Sequence, residues 1–450
     1  MNLLLFAFFF FFFVHQRSLD RIIFESIVLC VPVIVGLTIL SSFPILFPLI
    51  LLISGFTLLV TCKRLITTCQ WTEVLLIPKS KVKPVRVAAM DGVFRSLLIS
   101  TIISILAVDF TTFPRSFCKT TGYGFSLMDM GVGSFIVMNG MISPEARTPA
   151  HSGSHLLRKS ISSCIPILLL GVQRLLLVRS VNYQEVVTEY GTHWNFFFTL
   201  AAVKFISTIT HLWTRRFITP LRAAAILVII YQAALSLGLR DLILSNDRSN
   251  LLLANKEGIF SLPAYVCLYL VSVSLGSHMH INRRSGKAVD NLLITIECGI
   301  FFACSGILCI LSHSYLDEVS RRQANLSFIL WMICSSNFLL MIEAFLLLMM
   351  EFLQATGFLR FQVNSRPILP SIICQNSLFV FLMANMMTGI VNLSINTMES
   401  SVLTAFVILV LYTSLLSTAA YVMSIRNLKL KIPDSLVSKV VDILLQRIKR

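Results

Sequence analysis

Long apolar segments recur along the whole chain, and short polar breaks separate them. A helix needs about 20 mostly apolar residues to cross a bilayer, and most of these segments approach that length. Only 13% of the residues are charged, whereas about a quarter are charged in a typical soluble domain. The sequence therefore predicts an all-α polytopic membrane protein in which residues 1–450 form one multi-span domain. The predicted helices, about thirteen in number, cover approximately residues 1–14, 22–40, 44–62, 93–113, 127–142, 161–178, 196–213, 220–237, 262–280, 292–312, 326–349, 372–392 and 402–423.

The first predicted helix is short and rich in phenylalanine. Residues 1–14, MNLLLFAFFFFFFV, lack the basic start and the small-residue cleavage site of a signal peptide. We therefore expect a weak first helix within a divergent N-terminal segment, residues 1–20.

The connections between helices alternate in charge, and this alternation predicts how the chain is oriented. By the positive-inside rule, the more basic connections lie in the cytosol. With thirteen helices, the N-terminus is then lumenal and the C-terminus cytosolic. The basic tail, residues 424–450, is expected either to lie on the anionic cytosolic leaflet or to be a solvated helix. The basic connections contain Lys63, Arg64, Lys79, Lys81, Lys83, Arg86, Arg147, Arg158, Lys159, Arg215, Arg216, Arg283, Arg284, Lys287, Arg426, Lys429 and Lys431.

Three classes of site are not predicted. The net charge of +16 does not indicate nucleic-acid binding, because the cations lie beside apolar segments and not in a stripe with interleaved aromatics. Most of the eleven cysteines fall inside apolar runs, where cysteine acts as a small hydrophobe, so we expect neither a disulfide framework nor a zinc site. The glycines of residues 122–133 match neither a nucleotide-binding fingerprint nor a P-loop. We expect no permanently bound cofactor and no metal.

The remaining four connections are predicted to face the lumen together. They are residues 114–126, 179–195, 238–261 and 313–325, and they mix acids, bases, aromatics and asparagines. Because all four lie on one side of the membrane, we expect them to converge on one site.

Asp109 is the first candidate for chemistry, because it lies in the last turn of an apolar run. An ionised carboxylate in such a run costs about 2.5 to 3.5 kcal/mol, so it needs a partner or water. Pro114 stops the helix, and the chain turning back after it can bring Arg115 or Lys119 to the carboxylate. Paired with Lys119, Asp109 would stay ionised but poorly hydrated, as a general base for a hydroxyl requires. The alternative is a structural ion pair at a helix end.

The polar loops supply further candidates for binding a substrate. His193 can act as a base or as a donor to an oxyanion, or it can be an interfacial residue with a satisfied hydrogen bond. The adjacent Arg321 and Arg322 can hold a phosphate or anchor a helix. Asn325 and Asn392 begin glycosylation sequons, but both lie close to helix ends, and we expect neither to be modified. The candidate substrate-binding residues are Arg115, Tyr123, Asp129, Val132, Glu185, Glu189, His193, Trp194, Asn195, Asn255, Glu257, Arg321, Arg322 and Asn325.

Several of these segments carry a family resemblance. They are ILAVDF with FPRSFCKT, YGFSLMDMGVGSF, YQEVVTEYGTHWNFFFTLA, LLLANKEGI, RRQANLSFILW and LFVFLMANMMTGIVNLSINT, in this order between about residues 21 and 423. Together they resemble the inositol acyltransferase family of glycosylphosphatidylinositol (GPI) anchor biosynthesis.

The resemblance implies an endoplasmic reticulum enzyme that moves a fatty acyl chain, usually palmitoyl, from acyl-CoA. The acceptor would be the inositol 2-hydroxyl of glucosaminyl-phosphatidylinositol. The family's proposed dyad falls on Asp109 and Lys119, and its acyl tunnel passes the segment MDMGVG, including Val132. Two alternatives are a lipid transporter or scramblase with Asp109 and Lys119 as a gating pair, and a noncatalytic subunit of a GPI assembly complex.

Overall fold

The structure is a computed structural model that describes residues 18–39, 85–147, 153–180, 186–281, 289–355 and 368–428. Every regular element within these ranges is a helix, so the predicted all-α class is confirmed there. The chain orientation and the predicted total of thirteen spans stay predictions. The predicted runs 1–14 and 44–62, and the tail from residue 429 onward, lie outside the described residues.

The described helices are named in chain order. They are α1 (Ser18–Leu37), α2 (Val85–Ala107), α3 (Met130–Met141), α4 (Pro144–Arg147), α5 (Gly153–Ser180), α6 (Phe196–Thr214), α7 (Pro220–Ala234), α8 (Arg240–Leu244), α9 (Leu251–Ala254), α10 (Lys256–Phe260), α11 (Leu262–Ile281), α12 (Val289–Tyr315), α13 (Leu326–Ala355), α14 (Ile368–Gln375), α15 (Ser377–Ser394) and α16 (Val402–Ile425).

Nine helical segments in the described ranges are long and apolar enough to cross a membrane. They cover residues 89–107, 153–176, 196–214, 220–244, 256–280, 292–315, 326–349, 377–394 and 402–425. Two shorter apolar helices cover Glu25–Leu37 and Met130–Met141. The protein is therefore a multi-pass membrane protein.

Several predicted segments differ from the observed helices. The helix predicted over 93–113 covers Val85–Ala107, so Asp109 lies beyond its last turn and Pro114 does not mark its end. The run predicted over 372–392 is divided into α14 and α15, which meet at Asn376. The helix predicted over 220–237 continues through a π-helical turn, Leu235–Leu239, into α8, and Gly238 adopts a φ of 115° within that turn. An apolar pattern does not show either break, because both are set by backbone geometry and not by hydrophobicity.

The chain divides into two compact units. Of the described residues, the first unit contains 18–39, 85–118, 289–297, 339–355 and 368–428, and the second contains 119–147, 153–180, 186–281 and 298–338. Helices α12 and α13 each contribute residues to both units.

In the first unit, polar side chains fix the helices to one another. The hydroxyl of Tyr412 on α16 donates to the Ile102 carbonyl oxygen of α2, at 3.0 Å, and lies 3.3 Å from the Ala384 carbonyl oxygen of α15. The buried carboxylate of Glu25 accepts a 2.7 Å hydrogen bond from the Leu369 N–H, in the first turn of α14. A carboxylate is favourable there, because the first N–H groups of a helix have no partner within it.

In the second unit, α11 is the central helix. It packs against α3, α4, α6 and α7, and 61% of its spanning segment is buried, the largest share among the nine segments. Gly140 of α3 makes a close approach possible, since an added Cβ would lie 2.7 Å from the Ser272 Cβ and 2.8 Å from the Tyr269 carbonyl oxygen. The second unit thus carries its polar loops on a tightly packed helical core.

Candidate functional site

Asp109 lies two residues beyond the end of α2, in the first unit. It is half-buried, and its Oδ2 accepts a 2.8 Å hydrogen bond from Asn392 Nδ2 of α15. The nearby Arg115 donates to the Val108 carbonyl oxygen at 3.3 Å. Burial raises the pKa of Asp109 above its ordinary value, and the Asn392 hydrogen bond and the Arg115 charge offset part of that rise. This environment suits a carboxylate that takes up a proton.

Lys119 belongs to the second unit, where its Nζ lies 2.6 Å from Glu189 Oε1. Burial alone would raise the pKa of Glu189, but the charges of Lys119 and Arg321 hold it below its ordinary value. The side chain of Lys119 is 38% exposed, so this ion pair borders solvent. The predicted pairing of Lys119 with Asp109 stays a prediction, because each has a different described partner within its own unit.

Asp129 and Arg321 form a buried ion pair in the second unit. Arg321 Nε lies 2.7 Å from Asp129 Oδ1, and the two side chains are 5% and 0% exposed. The other carboxylate oxygen of Asp129 accepts hydrogen bonds from the Thr120 N–H, the Thr120 hydroxyl and the Ser126 hydroxyl. Arg321 also lies 6.0 Å from the ring centre of Tyr190. The pair therefore joins the loop before α3, the loop before α6 and the loop before α13.

A second buried group of charged side chains is centred on the Glu257 carboxylate. Arg248 donates to both of its carboxylate oxygens, at 2.6 and 3.1 Å, and Arg322 Nη2 donates to Oε1 at 3.0 Å. Next to it, the buried Lys256 donates to the carbonyl oxygens of Ser245 and Asp247, at 2.6 and 3.0 Å. Arg322 thus connects residues 243–257 to the loop before α13.

These contacts bear on the predicted role of the two arginines. Arg321 and Arg322 were candidates for holding a phosphate, but each is bound to a protein carboxylate, Asp129 and Glu257 respectively. Breaking such a buried pair leaves an uncompensated charge, which is strongly unfavourable. Both arginines therefore hold loops together in this structure, and their role in binding a phosphate stays a prediction.

Several other candidate residues hydrogen-bond these loops to one another or to a neighbouring helix. Asn195 caps α6 by accepting hydrogen bonds from the N–H groups of Phe197 and Phe198, and it donates to the Gly171 carbonyl oxygen. Asn255 accepts a 2.8 Å hydrogen bond from the His193 N–H. These contacts explain why asparagines occur at the two positions.

The loop before α13 is fixed in a similar way. Asn325 accepts from the Ser320 and Phe328 N–H groups and donates to the Glu318 carbonyl oxygen. Gln323 donates to the Tyr123 hydroxyl at 2.9 Å.

The other candidates have different surroundings. Trp194 Nε1 donates to the Thr199 hydroxyl at 2.8 Å. Val132 is buried on α3, and Glu185 lies outside the described residues.

The predicted convergence of the four polar loops is confirmed for their described residues in the second unit. Residues 119–126, 186–195, 243–258 and 317–325 are joined by the ion pairs and hydrogen bonds above. Sequence reasoning missed Asn392 as the partner of Asp109 and treated it only as a glycosylation sequon. An asparagine within an apolar helix was the available signal, since such a residue needs a hydrogen-bond partner.

Known proteins match most of this chain. A family model described as GWT1 matches residues 2–423. The chain is 34% identical to the Bos taurus protein named glucosaminyl-phosphatidylinositol-acyltransferase PIGW, over 92% of this chain and 90% of that protein. It is 32% identical to the Homo sapiens protein of the same name, over 90% and 88%.

A fungal relative extends the comparison. The chain is 37% identical to the Kluyveromyces lactis protein named GPI-anchored wall transfer protein 1, over 73% of this chain and 71% of that protein. The resemblance predicted from the sequence blocks is confirmed by these matches. The chain belongs to the GWT1 family.

Proposed function

We propose that this protein is the acyltransferase that acylates inositol during GPI-anchor biosynthesis in the endoplasmic reticulum membrane. The observation that carries the proposal is the match over about nine-tenths of the chain to relatives named glucosaminyl-phosphatidylinositol acyltransferases. The donor in this proposal is acyl-CoA, typically palmitoyl-CoA, and the acceptor is the inositol 2-hydroxyl of glucosaminyl-phosphatidylinositol.

The reaction requires little from the protein beyond proton transfer and charge stabilisation. A thioester is already activated, so no enzyme nucleophile is needed. The inositol hydroxyl loses its proton as its oxygen attacks the thioester carbonyl carbon. The tetrahedral intermediate then expels the CoA thiolate, which takes up a proton, and an inositol ester and CoA thiol are formed.

Asp109 is the residue that we assign as the general base. Its half-burial and raised pKa support this role, because a base is most effective when its pKa lies close to the working pH. Lys119 is the cation of the proposed dyad, and its Nζ is partly exposed beside Glu189. In this mechanism a positive charge supports the negative charge that develops on the carbonyl oxygen.

Acyl transfer in microsomes tests this proposal. Microsomes from cells that lack the endogenous activity would receive labelled palmitoyl-CoA and glucosaminyl-phosphatidylinositol, with each variant at matched expression. We expect Asp109→Asn to lower kcat/KM by about 10²- to 10⁴-fold, the usual contribution of a general base. Asp241→Asn is the control, because Asp241 is exposed on α8, lies outside the joined polar loops and has no proposed chemical role. Equal activity of Asp109→Asn and the wild type would show that another residue is the base. An inactive wild type would refute the proposed acyltransferase activity.

A further inference from the structure

A cavity of about 820 Å³ lies within the second unit, among α5, α6 and residues 251–259. Twelve of the fourteen residues that line it are hydrophobic, and the other two are His193 and Asn255. Its volume is in the range of about 300 to 1,000 Å³ that is typical of small-ligand pockets. Asp109, Lys119 and Val132 are not among the lining residues, so the proposed chemistry leaves this cavity without a role.

The cavity has one polar end and one apolar end. His193 and Asn255 lie at the N-terminal end of α6, and Phe205 lines the cavity further along that helix. The lining residues of α6 run from Phe198 to Phe205, and seven steps of about 1.5 Å each give the cavity an extent of roughly 10 Å along the helix. One leaflet of a bilayer contributes half of the roughly 30 Å hydrocarbon core. The cavity thus has about two-thirds of the depth of one leaflet, enough for the larger part of one lipid chain.

One wall of the cavity is closed by contact between α5 and α6, and another side of the cavity is open. In the closed wall, the buried Cys164 of α5 donates through its thiol to the Ala201 carbonyl oxygen of α6, at 3.4 Å. Leu168 and Phe205 also line the cavity, and their side chains are 43% and 38% exposed. Both belong to segments long and apolar enough to cross a membrane, so in a bilayer this open side of the cavity is expected at the level of the hydrocarbon core. A lipid chain can therefore enter sideways from the bilayer.

Charged groups surround the polar end. Arg174 is exposed on α5, one turn beyond Gly171, whose carbonyl oxygen bonds the α6 cap residue Asn195. Its charge acts on Glu189 and Tyr190, which lie four and three residues before His193. A cation at this position suits a phosphate-bearing headgroup placed where the chain leaves the cavity.

We propose that this cavity holds one hydrocarbon chain of the acceptor phosphoinositide and leaves its headgroup at the polar loops. The identity of the lipid rests on the proposed function. The acceptor fits better than acyl-CoA for two reasons. The acceptor is a bilayer lipid that can enter through the open side, and its reacting hydroxyl lies on the headgroup, outside any chain-binding cavity.

Photolabelling in nanodiscs tests the proposal without needing turnover. The probe is phosphatidylinositol with a diazirine near the end of one chain, and the labelled peptides are identified by mass spectrometry. We expect label on the cavity-lining parts of α5 and α6, reduced at least fivefold by Ala202→Phe, which fills the cavity. Ile209→Phe is the matched control, because Ile209 lies two turns along the same helix, is 44% exposed and does not line the cavity. Ala202→Leu adds less volume and should give an intermediate reduction if Ala202→Phe fails to fold.

Competing probes define the results that would overturn the proposal. Preferential labelling of these segments by a diazirine acyl-CoA would assign the cavity to the donor. Equal labelling by a phosphatidylcholine probe would make it a general lipid site. Steady-state kinetics test the same assignment independently, because Ala202→Leu should raise KM for the acceptor and leave KM for acyl-CoA unchanged. A wild type that takes up the phosphatidylinositol label but transfers no acyl chain would refute the proposed function and retain the cavity as a phosphoinositide site.

Discussion

At the scale of single residues, the hydrogen bond from Asn392 lowers the pKa of Asp109. Asn392 Nδ2 lies 2.8 Å from Asp109 Oδ2, and a donor to a carboxylate favours its charged form. The pKa of Asp109 is raised by burial, and Asn392 opposes that rise. The protonated carboxyl cannot act as a base, so activity should fall as the pH drops through the pKa of Asp109.

Asn392→Leu should therefore move the acid limb of the kcat/KM profile to higher pH. The substitution removes the interaction that lowers the pKa of Asp109, so the inactive protonated form persists to a higher pH. Asn385→Leu is the matched control, because Asn385 lies on the same helix and bonds only the Phe381 carbonyl oxygen among its described contacts. Acyl-transfer rates measured across the pH range check this, and coincident acid limbs for both variants would contradict it.

Asp129→Asn should destabilise the protein by about 3 kcal/mol, because it removes the direct ion-pair partner of the buried Arg321 and leaves Glu189 as its remaining negative neighbour. Lys119→Met is the comparison, since it removes a partly exposed partner and should change stability by about 1 kcal/mol or less. Thermal unfolding of the purified variants in detergent measures both effects. Equal stabilities would show that the Asp129–Arg321 pair does not hold the polar loops together.

At the scale of helices, close packing in the second unit depends on glycine. An added Cβ at Gly140 would meet α11, whereas one at Gly131, on the same helix, would meet nothing within 4 Å. Gly140→Val should therefore cost about 1 to 3 kcal/mol more than Gly131→Val through overpacking. Unfolding temperatures of the two variants check this difference. If the two variants unfold at the same temperature, α3 does not require this approach.

The sequence predicted helices and loops better than it predicted which side chains meet. The alternation of charge predicts that four loops lie on one side of the membrane, and in the second unit their described residues do contact one another. The partner of each charge depends on tertiary geometry instead. Asn392 and Asp109 are 283 residues apart in the chain, and Arg322 and Glu257 are 65 residues apart. No local pattern specifies such pairs.

At the scale of the whole molecule, the chain passes from one compact unit to the other between Cys118 and Lys119. Asp109 therefore belongs to the first unit, and Lys119 belongs to the second with the joined polar loops and the apolar cavity. In the proposed function, Asp109 of the first unit is the base, whereas the polar loops and the cavity described above belong to the second unit. This assignment has meaning only if the protein itself carries out the complete acyl transfer.

The most direct test of that claim uses the purified protein in proteoliposomes, supplied with palmitoyl-CoA and glucosaminyl-phosphatidylinositol. CoA thiol released and inositol ester formed are measured in the same samples. We expect one thiol per ester, formed only when both substrates are present. Release of CoA without ester, or neither product from folded protein, would contradict the account.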